Sequence, residues 1–163
     1  MEALLQQLKR AYPSLSFKAG QTFTWSPKDS QIIYRQDLTN DDEMACWSLL
    51  HEAGHALLAH QDYESDFELL LLEIAAWERA NELAEDFGHH IDSDHIQDCL
   101  DTYRDWLYQR STCPTCLSCS LQRDSRTYSC SNCGTIWHVG QSRHCRPYRL
   151  KQKETPMQES LSA

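Results

Sequence analysis

The sequence predicts an α+β chain: a mostly helical domain with a small antiparallel sheet, then a small cysteine-rich module and a polar tail. Three observations carry this. Four stretches repeat apolar residues at helical spacing, and short aliphatic or aromatic runs separated by turn residues follow the first of them. Two Cys-x-x-Cys pairs stand in the C-terminal third. The charge also divides: residues 1–109 hold 7 Lys/Arg against 21 Asp/Glu, a net of −14, while residues 110–163 hold 8 against 3, a net of +5. Such asymmetry points to two modules with different partners. The expected divisions are 1–109, 110–150 and a disordered tail over 151–163.

Taken in order, Leu4, Leu5, Leu8 and Ala11 share one face of a first helix, which Pro13 ends. Leu15 and Phe17, then Phe23 and Trp25, then Ile32, Ile33 and Tyr34 form short runs broken by Gly20, Ser26-Pro27 and Asp29-Ser30. These predict a small antiparallel sheet of two or three strands. Thr39, Asn40 and Asp41 are N-cap candidates for a second helix from about Asp41 to His60, with Met44, Trp47, Leu50, Leu57 and Leu58 on its apolar surface. A third helix is expected from Asp66 to Phe87, stopped by Gly88, and a fourth from Ser93 to Gln109. Cys46 and Cys99 fall on apolar helical faces and read as core.

The second helix carries chemistry. His51-Glu52-Ala53-Gly54-His55 is an HExxH motif. Residues four apart lie on one helical face, so His51 and His55 can share one tetrahedral zinc ion. Glu52 sits about 100° around the helix, where it can act as general base toward a water at the metal. Gly54 costs a helix about 1 kcal/mol relative to Ala, which suits a position where another backbone or a substrate approaches closely.

A catalytic zinc needs a third protein ligand, and Glu73 is the candidate. It lies on the apolar face of the third helix, where an unpaired carboxylate is expensive. Ala76 and Ala80 continue its stripe and allow the two helices to come close. The alternative is a salt bridge to Arg79 or Arg104 at the helix edge. Glu68 and Glu78 read as solvated, and His60, continued on the helix, points away from the pair. Tyr63, in the loop between the helices, is a candidate oxyanion donor, the alternative being a packed loop aromatic.

Cys113, Cys116, Cys130 and Cys133 form two knuckles, the second followed by Gly134. Four thiolates close a structural zinc site, and the flanking runs Thr127 to Ser129 and Thr135 to Val139 read as strands, so the module reads as a zinc ribbon. Two zinc ions per chain are therefore expected, one catalytic and one structural. Cys119, His138, His144 and Cys145 are left over. Arg110, Arg123, Arg126, Arg143, Arg146, Arg149, Lys151 and Lys153, with Tyr128, Trp137 and Tyr148, predict a basic surface with aromatics that contacts nucleic acid or protein.

Leu49-Leu50-His51-Glu52-Ala53-Gly54-His55-Ala56-Leu57-Leu58 followed by Glu73-Ile74-Ala75-Ala76-Trp77 resembles the ImmA/IrrE metallopeptidases, a zincin-like family pairing HExxH with a downstream ExxA(W). The resemblance covers about residues 26–87. It implies that His51, His55 and Glu73 hold the catalytic zinc, that Glu52 is the base, and that the substrate is a protein such as a transcriptional repressor. The short gap from His55 to Glu73 and the cysteine-rich module depart from the family's usual pattern. SprT-like proteases also append a zinc ribbon, but their third ligand is a histidine in a His-Gly context, and no His-Gly pair occurs here. A further reading is a non-catalytic zinc-binding regulator whose ribbon recruits DNA or protein. No apolar run of about 18 residues predicts a membrane span, no signal peptide is evident, and the expected compartment is the cytoplasm, where eight cysteines suit metal better than disulfides.

Overall fold

The computed structural model of the chain describes residues 1–36, 42–140 and 149–152. Within these, the chain is mixed α+β, with four helices and two small sheets. The elements run α1 (Glu2–Ala11), β1 (Ser16–Gly20), β2 (Thr24–Ser26), β3 (Gln31–Arg35), α2 (Glu43–Leu57), α3 (Asp66–Asp86) and α4 (Ser93–Ser111), then β4 (Leu121–Asp124), β5 (Thr127–Ser129), β6 (Ile136–Val139) and β7 (Arg149–Lys151). Two compact units emerge, Met1–Tyr103 and Arg104–Ala163. This division lies inside α4, ahead of the charge break at Arg110. The reason is packing. Trp106 and Arg110 are buried, Arg110 stacks its guanidinium over the Trp106 ring, and the Trp137 indole N–H donates to the Arg110 carbonyl at 3.0 Å. The end of α4 therefore belongs with the cysteine module. The tail from residue 153 lies outside the described residues.

In the first unit, the leucines of α1 (Leu4, Leu5 and Leu8) are buried with Ile32 of β3, Leu49 and Leu50 of α2 and Leu83 of α3. The sheet order is β1-β3-β2. An all-antiparallel sheet was the expectation, and half of it fails: β2 pairs antiparallel with β3, but β1 pairs with β3 in parallel. The tight turn after β2, where Ser30 takes φ 49 and its N–H donates to the Pro27 carbonyl, makes a hairpin of β2 and β3. That leaves β1 the other edge of β3, so Ile32 has Phe17 on one side and Trp25 on the other. Burying Ile32 between two aromatic neighbours is the gain that fixes this order.

Helix α2 starts where Asp42 caps it, its carboxylate accepting the Ala45 N–H at 3.0 Å. The candidates Thr39, Asn40 and Asp41 lie outside the described residues. The helix ends at Leu57 rather than His60. Ala59 turns into the left-handed region at φ 51, its N–H donates to the Ala56 carbonyl, and the His60 N–H donates back to the His55 carbonyl at 3.0 Å. This is a Schellman ending, built on alanine where glycine is the usual residue. A Cβ in that region costs about 1–2 kcal/mol. Ala59→Gly is therefore expected to stabilise the first unit by about 0.5–1 kcal/mol, after the entropy glycine adds to the unfolded chain. Its melting midpoint should rise by a few degrees; a fall would show that the turn carries no strain.

Helix α3 runs from its Ser65 cap, whose hydroxyl accepts the Glu68 N–H, to Asp86, and Gly88 at φ 73 completes its end. Three of its four alanines, Ala76, Ala80 and Ala84, are fully buried. A Cβ built on Gly54 of α2 falls 2.5 Å from the Ala76 carbonyl oxygen, so the two helices touch backbone to backbone there.

Candidate metal centres

The α2–α3 contact decides the first centre. His51 and His55 lie one turn apart on α2, and Gly54 between them lets α3 close in. Glu73 stands one turn before Ala76, so the approach carries its carboxylate to the histidines. The His51 Nε2 and His55 Nε2 atoms are 3.2 Å apart. Glu73 Oε2 lies 3.2 Å from the first and 3.6 Å from the second. Donors bound tetrahedrally at zinc-like distances are about 3.3–3.5 Å from one another. The triangle of donors thus has the edge lengths of a tetrahedral ligand set. The residues fit a metal by a second test. Glu73 Oε2 is fully buried and makes no hydrogen bond among the described residues beyond its approach to the two imidazoles. Burial pushes the Glu73 carboxyl up, but the hydrogen bonds and charges of His51 and His55 outweigh it and hold the group well below the usual range. The carboxylate stays ionised and ready to bind a cation. Arg79, one alternative partner, instead pairs with Glu82 at 2.6 Å and donates to the Tyr12 hydroxyl.

In comparisons with protein-family models, curated proteins and solved structures, none matches this chain. The site therefore stands on its own geometry.

Glu52 is turned toward the sheet. Its Oε2 accepts the backbone N–H of Trp25 at 2.6 Å. Trp25 also donates its indole N–H to the His60 carbonyl at 2.9 Å. One residue of the edge strand β2 thus fixes both the carboxylate and the chain beyond α2. His60, expected to point away, is brought back by the Schellman turn, and its Nδ1 lies 2.8 Å from the Nδ1 of His55. Burial first, then the His55 imidazole, push the His60 pKa down. Neither Trp25 nor His60 carries a spacing signal, because both reach the site through folds of the chain rather than along a helix face.

Trp77 stacks on the His51 ring, with centroids 4.2 Å apart. A cleft of about 410 Å3 opens beside them, lined by His51, Glu52, Phe23, Trp77, His95 and Cys99 among others. Cys99 is therefore a partly buried cleft wall rather than pure core, while Cys46 is buried as expected. Burial and Asp98 push the Cys99 thiol up, which keeps it neutral. Tyr63 is 40% exposed and is not among the residues lining the cleft.

The second centre is Cys113, Cys116, Cys130 and Cys133, whose sulfurs all lie within 4.8 Å of one another. Cys113 and Cys133 approach to 3.6 Å, Cys116 and Cys130 to 3.5 Å. Tetrahedral thiolates at about 2.3 Å from zinc would be about 3.8 Å apart, so four free thiols cluster at close to that spacing. The two knuckles repeat one another. The Leu117 N–H donates to the Cys113 carbonyl and the Gly134 N–H to the Cys130 carbonyl, with φ 62 and 73. The Ser118 hydroxyl, then the Asn132 amide, pull the Cys116 thiol down to about 5, and backbone N–H groups at Cys133 and Asn132 pull Cys130 down. Thr135 bonds to Cys133, yet desolvation and the neighbouring sulfurs push that thiol up. Thiols competing for negative charge are what a bound cation relieves. With the four-stranded sheet β4-β5-β6-β7 beside them, these cysteines are consistent with a zinc ribbon.

The expected basic surface with aromatics is corrected here. Tyr128 and Trp137 are buried, stacked on each other at 5.5 Å within the cysteine core. Arg110 is buried and donates to the Gly140 carbonyl. Arg123, Arg126, Arg149 and Lys151 remain exposed, Arg149 donating to the Thr112 carbonyl at 2.7 Å. Cys119 and His138 are exposed and join neither donor cluster. Arg143, His144, Cys145, Arg146, Tyr148 and Lys153 lie outside the described residues.

Proposed function

We propose that the first unit is a zinc-dependent endopeptidase hydrolysing peptide bonds of a protein substrate, and the second a structural zinc ribbon. The observation that carries the first reading is the convergence of two imidazoles and one carboxylate beside a glutamate held in place by a backbone N–H. Two histidines and a glutamate are a donor set typical of catalytic zinc. His51, His55 and Glu73 would hold the zinc, which when bound would supply Lewis acidity for activating water and polarising a scissile carbonyl. Glu52 takes the water's proton and returns it to the leaving amine. The Trp25 N–H restricts the rotation of that carboxylate by engaging one of its two oxygens. The walls of the cleft, Phe23 and Trp77, exclude water around an extended peptide.

A carboxylate as third donor supports an ImmA/IrrE-like peptidase over an SprT-like one, whose third ligand is a histidine. Repressor proteins are the first substrates to test. The exposed Arg123, Arg126 and Lys151 give the ribbon contacts for an acidic partner, protein or nucleic acid. A cytoplasmic location is supported by the unpaired thiols and by the absence, among the described residues, of a helix long and apolar enough to cross a membrane.

Glu52→Gln tests the reading. Glutamine keeps an oxygen for the Trp25 N–H but cannot act as a base. Peptide cleavage should fall by about 100- to 10,000-fold while metal content and melting temperature stay at the wild-type level. Unchanged function in the variant would instead favour a non-catalytic zinc-binding regulator.

A further inference from the structure

The short contact between His55 and His60 imposes a logic of its own. Two imidazole nitrogens 2.8 Å apart share one proton: one must donate and the other accept. The Nε2 of His55 faces His51 Nε2 and Glu73 Oε2, so a cation at that triangle uses the Nε2 lone pair. A neutral imidazole carries a single N–H, which then sits on Nδ1 of His55. His60 must accept it at Nδ1 and keep its own proton on Nε2. With a cation at the triangle, that distance sets both tautomers.

The position of His60 is built rather than incidental. Its N–H closes the α2 ending on the His55 carbonyl, and its carbonyl accepts the Trp25 indole N–H at 2.9 Å. The left-handed turn at Ala59 that delivers it is adopted without glycine, a strain the fold tolerates at this one place on α2. His51 has no such support among the described residues: its Nδ1 is buried without a hydrogen-bond partner there, and the ring is held by stacking on Trp77. Orientation of the donor pair through a hydrogen bond therefore falls to His55.

We infer that His60 is a positioning residue, the hydrogen-bond acceptor that holds His55 in the Nδ1–H tautomer and so sets the metal affinity of the histidine–glutamate centre. This rests on the metal-site reading above but not on turnover. It makes His60 an acceptor, whereas a residue that merely fills space could be replaced by any side chain of similar bulk.

The test uses the full-length chain loaded with zinc, with competition by a chromophoric chelator, in wild type, His60→Ala and His60→Asn. The amide oxygen of asparagine can accept where Nδ1 does. His60→Ala should weaken the more readily chelated zinc by about 10- to 100-fold, the usual cost of removing such a partner. His60→Asn should recover most of that loss. The thiolate-held zinc should not change in either. Histidine-selective 1H–15N spectra should show the wild-type His55 proton on Nδ1 and the His60 proton on Nε2. Equal affinity in wild type and His60→Ala, equal losses in both variants, or the opposite tautomers would overturn the inference. If wild type binds only the thiolate-held ion, the metal reading itself falls and this inference with it, a result visible before any variant is compared.

Discussion

Gly54→Ala should lower the metal affinity of the histidine–glutamate centre by about tenfold or more. The added Cβ would lie 2.5 Å from the Ala76 carbonyl oxygen, 3.3 Å from its carbonyl carbon and 3.4 Å from its Cα. All three are backbone atoms of α3, so no side-chain rotation relieves the clash. Alanine improves helix propensity by about 1 kcal/mol, which pulls the other way. Overpacking of this kind costs about 1–3 kcal/mol, and restoring ordinary contact requires α2 and α3 to separate by about 1 Å. The separation acts between His51 and His55 on one helix and one turn from Glu73 on the other. Donor spacings of 3.2 and 3.6 Å across the helix pair would open by a similar amount. Misplacement by about 1 Å commonly costs about 100-fold in function, so a loss of metal affinity of at least tenfold is expected. Global stability should change far less, because favourable propensity offsets part of the strain. Chelator competition reports the affinity, with the thiolate-held ion as internal reference, and circular dichroism reports the fold. Wild-type affinity in Gly54→Ala would mean that the close helix approach does not set the site.

That prediction also shows which features are legible in a single sequence. His51, Glu52 and His55 declare themselves because a helix turns spacing into a shared face. Glu73 is readable because a carboxylate on an apolar stripe is costly unless something binds it. The two knuckles are readable for the same local reason, since Cys113 to Cys116 and Cys130 to Cys133 each close within one turn. What escapes depends on chain reversals. Helix α2 is extrapolated to His60 because neither Leu58 nor Ala59 is a recognised stop residue, and the error turns His60 away from the site. The parallel β1–β3 pairing escapes because alternation within a strand says which face is buried, not which neighbour it takes. Trp25 reaches Glu52 across 27 positions of sequence, through a backbone N–H that has no residue-type signature. Arg110, Tyr128 and Trp137 look like a binding surface by composition, yet the small second unit needs them inside. A module with so few aliphatic residues recruits aromatics, and even an arginine stem, to build its interior.

That shortage makes the second large effect predictable. Replacing one thiolate in each knuckle, Cys113→Ser with Cys130→Ser, should unfold the second unit. Among the described residues, its buried cluster consists of Cys113, Cys130, Tyr128, Trp137 and Val139, with Cys116 packed against it. Half of these are metal-ligand candidates, leaving three apolar side chains of any size in that cluster. Binding of a structural zinc contributes about 10–16 kcal/mol, comparable to the whole stability of an ordinary domain at about 5–15 kcal/mol. Without the ion, the sheet β4-β5-β6-β7 lacks the burial needed to offset the entropy of ordering it. Serine hydroxyls remain protonated and bind zinc poorly, and the two remaining thiols close no tetrahedron. The double variant should carry one zinc per chain instead of two. The amide resonances of Tyr128 and Trp137 should collapse toward unfolded positions while those of α2 and α3 hold theirs. Protease should then cut freely beyond residue 111, the end of α4. Two zinc ions per chain, or dispersed Tyr128 and Trp137 resonances in the double variant, would show that the second unit folds on side-chain packing alone.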